Sequence, residues 1–272
     1  MNRLTKLVNF ELSRFMKIYL VLIAMTVIIQ VTGVIVKANK YMSEANTAIY
    51  EDMLSRAQFI EQNGQISFMA IARSLWFMAP IAICAAALIF YVFMIWYRDW
   101  FGKNTFIYRL LMLPTARLNV YLAKLISIFA MVLGLVSVQL IILPLENSVL
   151  KWLVPTDFRS DMTVGQIINW DYLTMLVPQT FTEFILYYGA GFMALTIVFT
   201  AILFERSFKW KGIIAGIGYV AISVVIFILP VLSMGDYFYP LEILGLEVVM
   251  GLIVTTMSIW VGNFLLKRKI TV

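Results

Sequence analysis

Histidine is absent and Cys84 is the only cysteine. This excludes a disulfide within the chain, a zinc site built from Cys and His, and any mechanism that needs a histidine base. Cys84 sits among Ala82, Ala85 and Ala86 and reads as packing rather than as a reactive thiol. Charge is scarce too: Asp, Glu, Lys and Arg make up 13% of the 272 residues, against 62% hydrophobic ones. A soluble domain carries about twice that charge, and no core of this size could absorb so much apolar surface, so the remainder is expected to face lipid. The chain has no Walker sequence, no zinc-protease motif and no serine-nucleophile motif. An enzyme is therefore not expected, nor is a cofactor, metal or catalytic residue. The net charge of +6 is split among short segments between apolar runs. That pattern belongs to membrane orientation rather than to nucleic-acid binding.

What is present is long apolar runs. A membrane-crossing helix needs about 20 residues, because each rises about 1.5 Å through a hydrocarbon core of about 30 Å. Six uncharged windows meet that length: Ile18–Val36, Ser74–Tyr97, Leu125–Leu145, Phe184–Phe204, Gly212–Gly235 and Val248–Leu266. A backbone in lipid has no water to satisfy it, so these windows must be helices. The expected fold is an all-α integral membrane protein forming a single transmembrane domain over 1–272. Its spans lie near 18–36, 74–97, 118–145, 181–204, 212–235 and 245–266, after an amphipathic interfacial helix over 1–17. The first run has no small-residue cleavage site after it and reads as a retained helix rather than a secretory signal.

Lys and Arg set the orientation. Arg3, Lys6, Arg14, Lys17, Arg98, Lys103, Arg109, Arg117, Lys124, Arg206, Lys209, Lys211, Lys267, Arg268 and Lys269 fall on one side, fifteen of the 21 basic residues. That side is expected to be cytoplasmic, making a multi-pass protein of the cell membrane with both termini inside. Glu44, Glu51, Asp52, Glu61, Asp157, Asp161, Asp171 and Asp236 lean to the other side. Trp76, Trp152 and Trp170 mark an outer aromatic belt, and Trp96, Trp100 and Trp210 an inner one.

The outer segments carry helical patterns. Ile49, Met53, Ala57 and Ile60 recur at helical spacing, and Thr163 with Gln166 forms a capping-box signature ahead of Val164, Ile167, Ile168, Met175 and Leu176. Amphipathic helices on the outer membrane face and loop helices packed on the bundle are equal readings. No charge falls within the six windows, which argues against proton relays and ion-coupled carriers; Glu183 and Glu247 are expected to reach water at span ends. Gly212 and Gly216, and Gly189 with Gly191, are placed for helix packing. Pro80 and Pro230 are expected to kink their spans, with neighbours satisfying the freed carbonyls.

Two basic-side segments carry the functional signal. In residues 2–17, Leu4, Leu7, Val8, Leu12 and Phe15 share one helical face, opposite Arg3, Lys6, Ser13, Arg14 and Lys17. This is either an interfacial helix or a plain charged anchor. Between the second and third windows, Gly102 can break the preceding helix, 104–113 can form a short one, and Pro114 would end it.

Gly102, Thr105, the Leu110-Leu111-Met112-Leu113-Pro114 run, Thr115, Arg117 and Lys124 resemble the coupling loop of ABC-2-type transporter permeases. In that family the glycine and threonine are adjacent, whereas here two residues intervene. The amphipathic start, six spans and loop position extend the resemblance over nearly the whole chain, and the motif covers about 25 residues. The nearest resemblance is to small permeases of Gram-positive bacteria that export antimicrobial peptides, toxins or antibiotics. The resemblance implies a transport subunit that moves an amphipathic cargo, such as a peptide or lipid-like compound, across the bilayer. It further implies two copies of a separate ABC ATPase, which would bind the ATP and magnesium, and a second permease that is a copy or a paralogue. The ATPase-coupling residues it implies are Gly102, Lys103, Thr105, Tyr108, Arg109, Leu110, Leu111, Pro114 and Arg117, with the Glu205–Lys211 turn alongside. The alternative is a non-transporting membrane immunity or scaffold protein.

Overall fold

The structure is a computed structural model and describes residues 3–101, 106–112, 114–169, 171–234 and 238–270. The sequence readings at Gly102, Lys103, Thr105, Leu113, Trp170 and Asp236 lie outside the described residues. Six helices are long and apolar enough to cross a membrane: α1 (Arg3–Tyr50), α4 (Leu75–Trp100), α6 (Arg117–Leu153), α9 (Phe181–Phe208), α10 (Trp210–Met234) and α11 (Pro240–Arg268). Shorter helices are α2 (Arg56–Asn63), α3 (Phe68–Ala72), α5 (Phe106–Leu111), α7 (Val164–Ile168) and α8 (Asp171–Leu176). The helical, six-span character fits a multi-pass membrane protein. A two-residue parallel ladder is added to it, with Ile66 and Ser67 of β1 paired to Arg159 and Ser160 of β2.

The helix expected over 2–17 opens α1, which runs on through the first span and continues unbroken to Tyr50. The reason is local: between Arg3 and Gly33 no proline or glycine offers a break. The expected stripe through Ile49, Met53, Ala57 and Ile60 is interrupted. Met53 adopts a positive φ of 52° after α1 ends, and α2 starts afresh on a Ser55–Gln58 capping box. At the third span the helix passes Leu145, so Glu146, one residue beyond the uncharged window, is a fully buried carboxylate within α6.

The contacts divide into two compact units. One comprises Phe15–Ala87 and Met131–Val177. Its core joins Val34 and Ala38 of α1, Phe77 of α4 and Leu143 and Leu150 of α6 with Phe59 of α2, Ile167 of α7 and Leu173 of α8. The two connecting segments are therefore packed on helices of this unit. The Thr163–Gln166 capping box is formed in both directions, with Thr163 N donating to Gln166 at 2.9 Å and Gln166 N to Thr163 at 3.4 Å. Gln30 of α1 donates to the Phe77 carbonyl at 3.1 Å and to Gln139 of α6 at 3.2 Å. The Phe77 carbonyl lies beside the one that Pro80 leaves free, so a side chain on a neighbouring helix serves the disturbed turn. Cys84 is buried, with its sulfur 3.2 Å from the Thr26 hydroxyl.

The other unit comprises Met1–Arg14, Leu88–Ala130 and Pro178–Val272. In it α9 packs against both α10 and α11. Gly212 is indispensable to the α9–α10 approach: an added Cβ would stand 2.0 Å from the Phe204 carbonyl oxygen. Gly216 backs onto Ala201 in the same way at 3.0 Å, so this pair packs as expected. Gly191 faces open space and Gly189 meets only Ile185 of its own helix at 3.9 Å, so that pair brings no helices together among the described residues. Trp96, expected in an interfacial belt, is fully buried against Tyr121 and Phe199, with ring centroids 6.2 and 5.5 Å away.

Candidate functional site

The basic end of the second unit holds a buried cluster of five charges. The first helix brings Glu11 and Arg14, the end of α4 brings Arg98 and Asp99, and the start of α6 brings Lys124. Lys124 is fully buried, as is Asp99, and Glu11 is 2% exposed. The Lys124 ammonium donates to Glu11 at 2.8 Å, to the Ile95 carbonyl at 2.8 Å and to Asp99. Arg14 donates to the second Asp99 oxygen at 2.7 Å, and Arg98 to the second Glu11 oxygen at 3.0 Å. Each of the four carboxylate oxygens thus receives a charged donor, and the ammonium uses all three of its protons. Buried ions are tolerated only on those terms. The Trp96 ring lies 5.3 Å from the Lys124 nitrogen. The arrangement holds three helix ends in one place and has no group poised for catalysis.

Arg14 extends the cluster to the loop. Its guanidinium stands 5.1 Å from the ring centres of both Phe10 and Phe106, which themselves stack 5.8 Å apart. Phe106 opens α5, so the loop helix is held against the first turns of α1. Ile107, Leu110 and Leu111 are all buried, and Leu110 packs on Leu7, Val120 and Ala123. The two leucines are therefore covered within the chain itself. What α5 presents outward is Tyr108, 38% exposed, Arg109, and Met112 just beyond it, 71% exposed. The Tyr108 ring meets Trp100 edge-on at 6.3 Å.

Arg117 is tied to the far end of the chain. It donates to the carbonyls of Leu266 at 2.6 Å and Ile270 at 2.9 Å, capping the end of α11. Its guanidinium is engaged by carbonyls at the end of that helix. The turn after α9 is also tied in. Tyr97 donates to Glu205, and the Arg206 guanidinium lies 4.5 Å from the Tyr97 ring centre and 5.7 Å from that of Trp100.

Tyr108, Arg109, Leu110, Leu111, Pro114 and Arg117 thus fall in one unit, with Leu110 and Leu111 inward and Tyr108 and Arg109 outward. The sequence reading passed over Glu11, Asp99 and the burial of Lys124. A signal for Glu11 was available: it lies four residues after Leu7 and four before Phe15, on the apolar face rather than the basic one. Among the described residues no group of three or more His, Cys, Asp and Glu is arranged to hold a metal ion. No family model, no curated protein and no solved structure matches the chain.

Proposed function

We propose that the chain is the membrane-spanning subunit of an ATP-driven exporter of the ABC-2 type. In this reading both termini and the basic end are cytoplasmic. Two separate ATPase subunits bind beneath a pair of permeases and hold the ATP and magnesium. The cargo is amphipathic, a peptide or lipid-like compound, in keeping with six helices whose outward faces are almost wholly apolar.

The observation that carries the reading is α5: a short helix seated through Ile107, Leu110 and Leu111, with Tyr108 and Arg109 left outward. A handle for a partner has to be stiff on the inner side and free on the outer one, and Tyr and Arg are the residue types enriched at interface hot spots. Arg14 bridges this helix to the buried cluster, so a push on α5 is delivered to the ends of α1, α4 and α6. ATP-driven closure of the ATPases would then bias the spans between two states.

The test is co-purification with a co-expressed candidate ABC ATPase, with membrane abundance of the permease as control. Tyr108→Ala or Arg109→Ala is expected to weaken ATPase association roughly ten-fold, as removal of a hot-spot side chain does, and to lower transport while insertion stays normal. Full association and activity in both variants would falsify the coupling role.

A further inference from the structure

A groove of about 560 Å³ runs between the start of α1 and the α5 segment. Its apolar floor is made by Leu7, Phe10, Phe106, Leu110 and Pro114, and its charged rim by Arg3, Lys6 and Arg109. Arg3, Leu7 and Phe10 follow the i, i+4, i+7 spacing that puts a cation and two apolar side chains on one helical face. No acidic residue is among those lining it. The nearby carboxylates of Glu11 and Asp99 are already engaged by Arg14, Arg98 and Lys124. Among the described residues, Arg3, Lys6 and Arg109 have no carboxylate partner.

We propose that this groove binds one anionic phospholipid, with its phosphate between Arg3, Lys6 and Arg109 and the upper part of an acyl chain on the Phe10–Phe106 floor. Charge complementarity selects an anion, because the three cations that line the groove share it with no acidic residue among the described ones. The floor selects an amphiphile. A soluble anion would satisfy the rim and leave five apolar side chains bare, whereas a phospholipid matches both. The volume lies within the range of sites that enclose a drug-sized ligand. The lipid is also at hand. Leu7 packs on Val120 and Ala123, within two turns of Leu125, where the uncharged stretch of α6 begins. Basic pockets at that level of a bilayer are where anionic head groups collect. A lipid seated there would brace α5 against α1 and make the loop helix sensitive to the lipid composition of its leaflet. The inference rests on the groove alone and needs no ATPase.

The test uses the full chain in phosphatidylcholine vesicles that carry a trace of spin-labelled phosphatidylglycerol or spin-labelled phosphatidylcholine. The immobilised fraction of each probe gives the preference for the anionic lipid. The wild-type chain is expected to prefer phosphatidylglycerol. Lys6→Gln should cut that preference roughly five-fold, the effect of one cation near a membrane surface, and the triple variant Arg3→Gln, Lys6→Gln, Arg109→Gln should abolish it. Thr115→Trp fills the groove without changing charge and should abolish it as well. Removing three charges elsewhere, by Lys267→Gln, Arg268→Gln and Lys269→Gln, should leave it intact. Lys6→Gln and Thr115→Trp keep the test decisive should the triple variant misfold. A preference that tracks total charge and survives Thr115→Trp overturns the proposal. So does displacement of the lipid by water-soluble glycerophosphoglycerol at equal concentration, which would mark a head-group site only. An absence of any preference in the wild-type chain also overturns it, and would leave the groove to an acidic segment of a partner protein.

Discussion

Both units bury acidic side chains between apolar helices, and they treat those carboxyl groups in opposite ways. In the unit built on α9, α10 and α11, the buried carboxylates Glu11 and Asp99 have a donor for every oxygen. In the other unit, both oxygens of the buried Glu146 lack a hydrogen-bond partner, as do Gln30 Oε1 and Gln139 Nε2. A saturated cluster pins helix ends, and each member depends on the rest. Unsatisfied groups in an apolar core subtract from stability and hold nothing in place. The Glu11–Asp99–Lys124 cluster therefore reads as architecture, whereas Glu146, Gln30 and Gln139 keep orphaned atoms at a cost to the fold.

The largest expected effect comes from breaking the saturated cluster. Lys124→Ala removes the only ammonium shared by Glu11 and Asp99 and leaves two buried carboxylates short of donors. Losing one member of such a cluster costs about 3–5 kcal/mol, so the melting temperature in detergent should fall steeply or the chain should fail to accumulate. A melting curve like that of the wild type would mean that the buried charges are not interdependent.

The opposite sign is expected at Glu146. Glu146→Leu exchanges two unsatisfied oxygens for a side chain that matches its apolar neighbours. A stabilisation of about 1–3 kcal/mol should follow, the usual cost of leaving a buried polar group unpaired. A rise in melting temperature accompanied by lost transport would identify Glu146 as a group kept for activity. A fall in melting temperature would contradict the contrast drawn here.

The smallest effect is expected at the glutamine pair. Gln30→Leu with Gln139→Leu removes both partners of the 3.2 Å bond together with their orphaned atoms, so the double variant should lie within about 1 kcal/mol of the wild type. Gln139→Leu alone leaves Gln30 buried with only the Phe77 carbonyl as acceptor and should be the less stable of the two. Equal stability of single and double variants would show that the two side chains do not act as a pair.

How much of this was legible follows from what each signal measures. Hydropathy reports which residues can face lipid, so the six spans could be read, and so could the inward face of the first helix: Leu7 and Phe15 are buried, whereas Arg3, Lys6 and Lys17 are exposed. The capping box at Thr163 and Gln166 was readable because both partners lie within one turn. An uncharged run ends at the first charge, and that hid Glu146, which lies one residue beyond the third run but still within α6. Lys124 was counted as an orientation signal because a lone cation near a span end serves that purpose most often. Its partners Glu11 and Asp99 lie 113 and 25 residues away, and no local pattern ties them to it. The inward turn of Leu110 likewise depends on Leu7, far off in sequence.

The link from Arg117 to α11 has a consequence for how the protein is made. Its two acceptors follow it by 149 and 153 residues. At synthesis rates of about 5–20 residues per second, the guanidinium waits roughly 7–30 s for the carbonyls it caps. During that interval α6 has left the ribosome with a cation near its start and no acceptor for it. The start of the third span is therefore held by contacts made early, such as Lys124 with Glu11, and is locked only when Ile270 emerges. Until Leu266 and Ile270 are made, this lock stays open and the start of α6 relies on its early contacts alone.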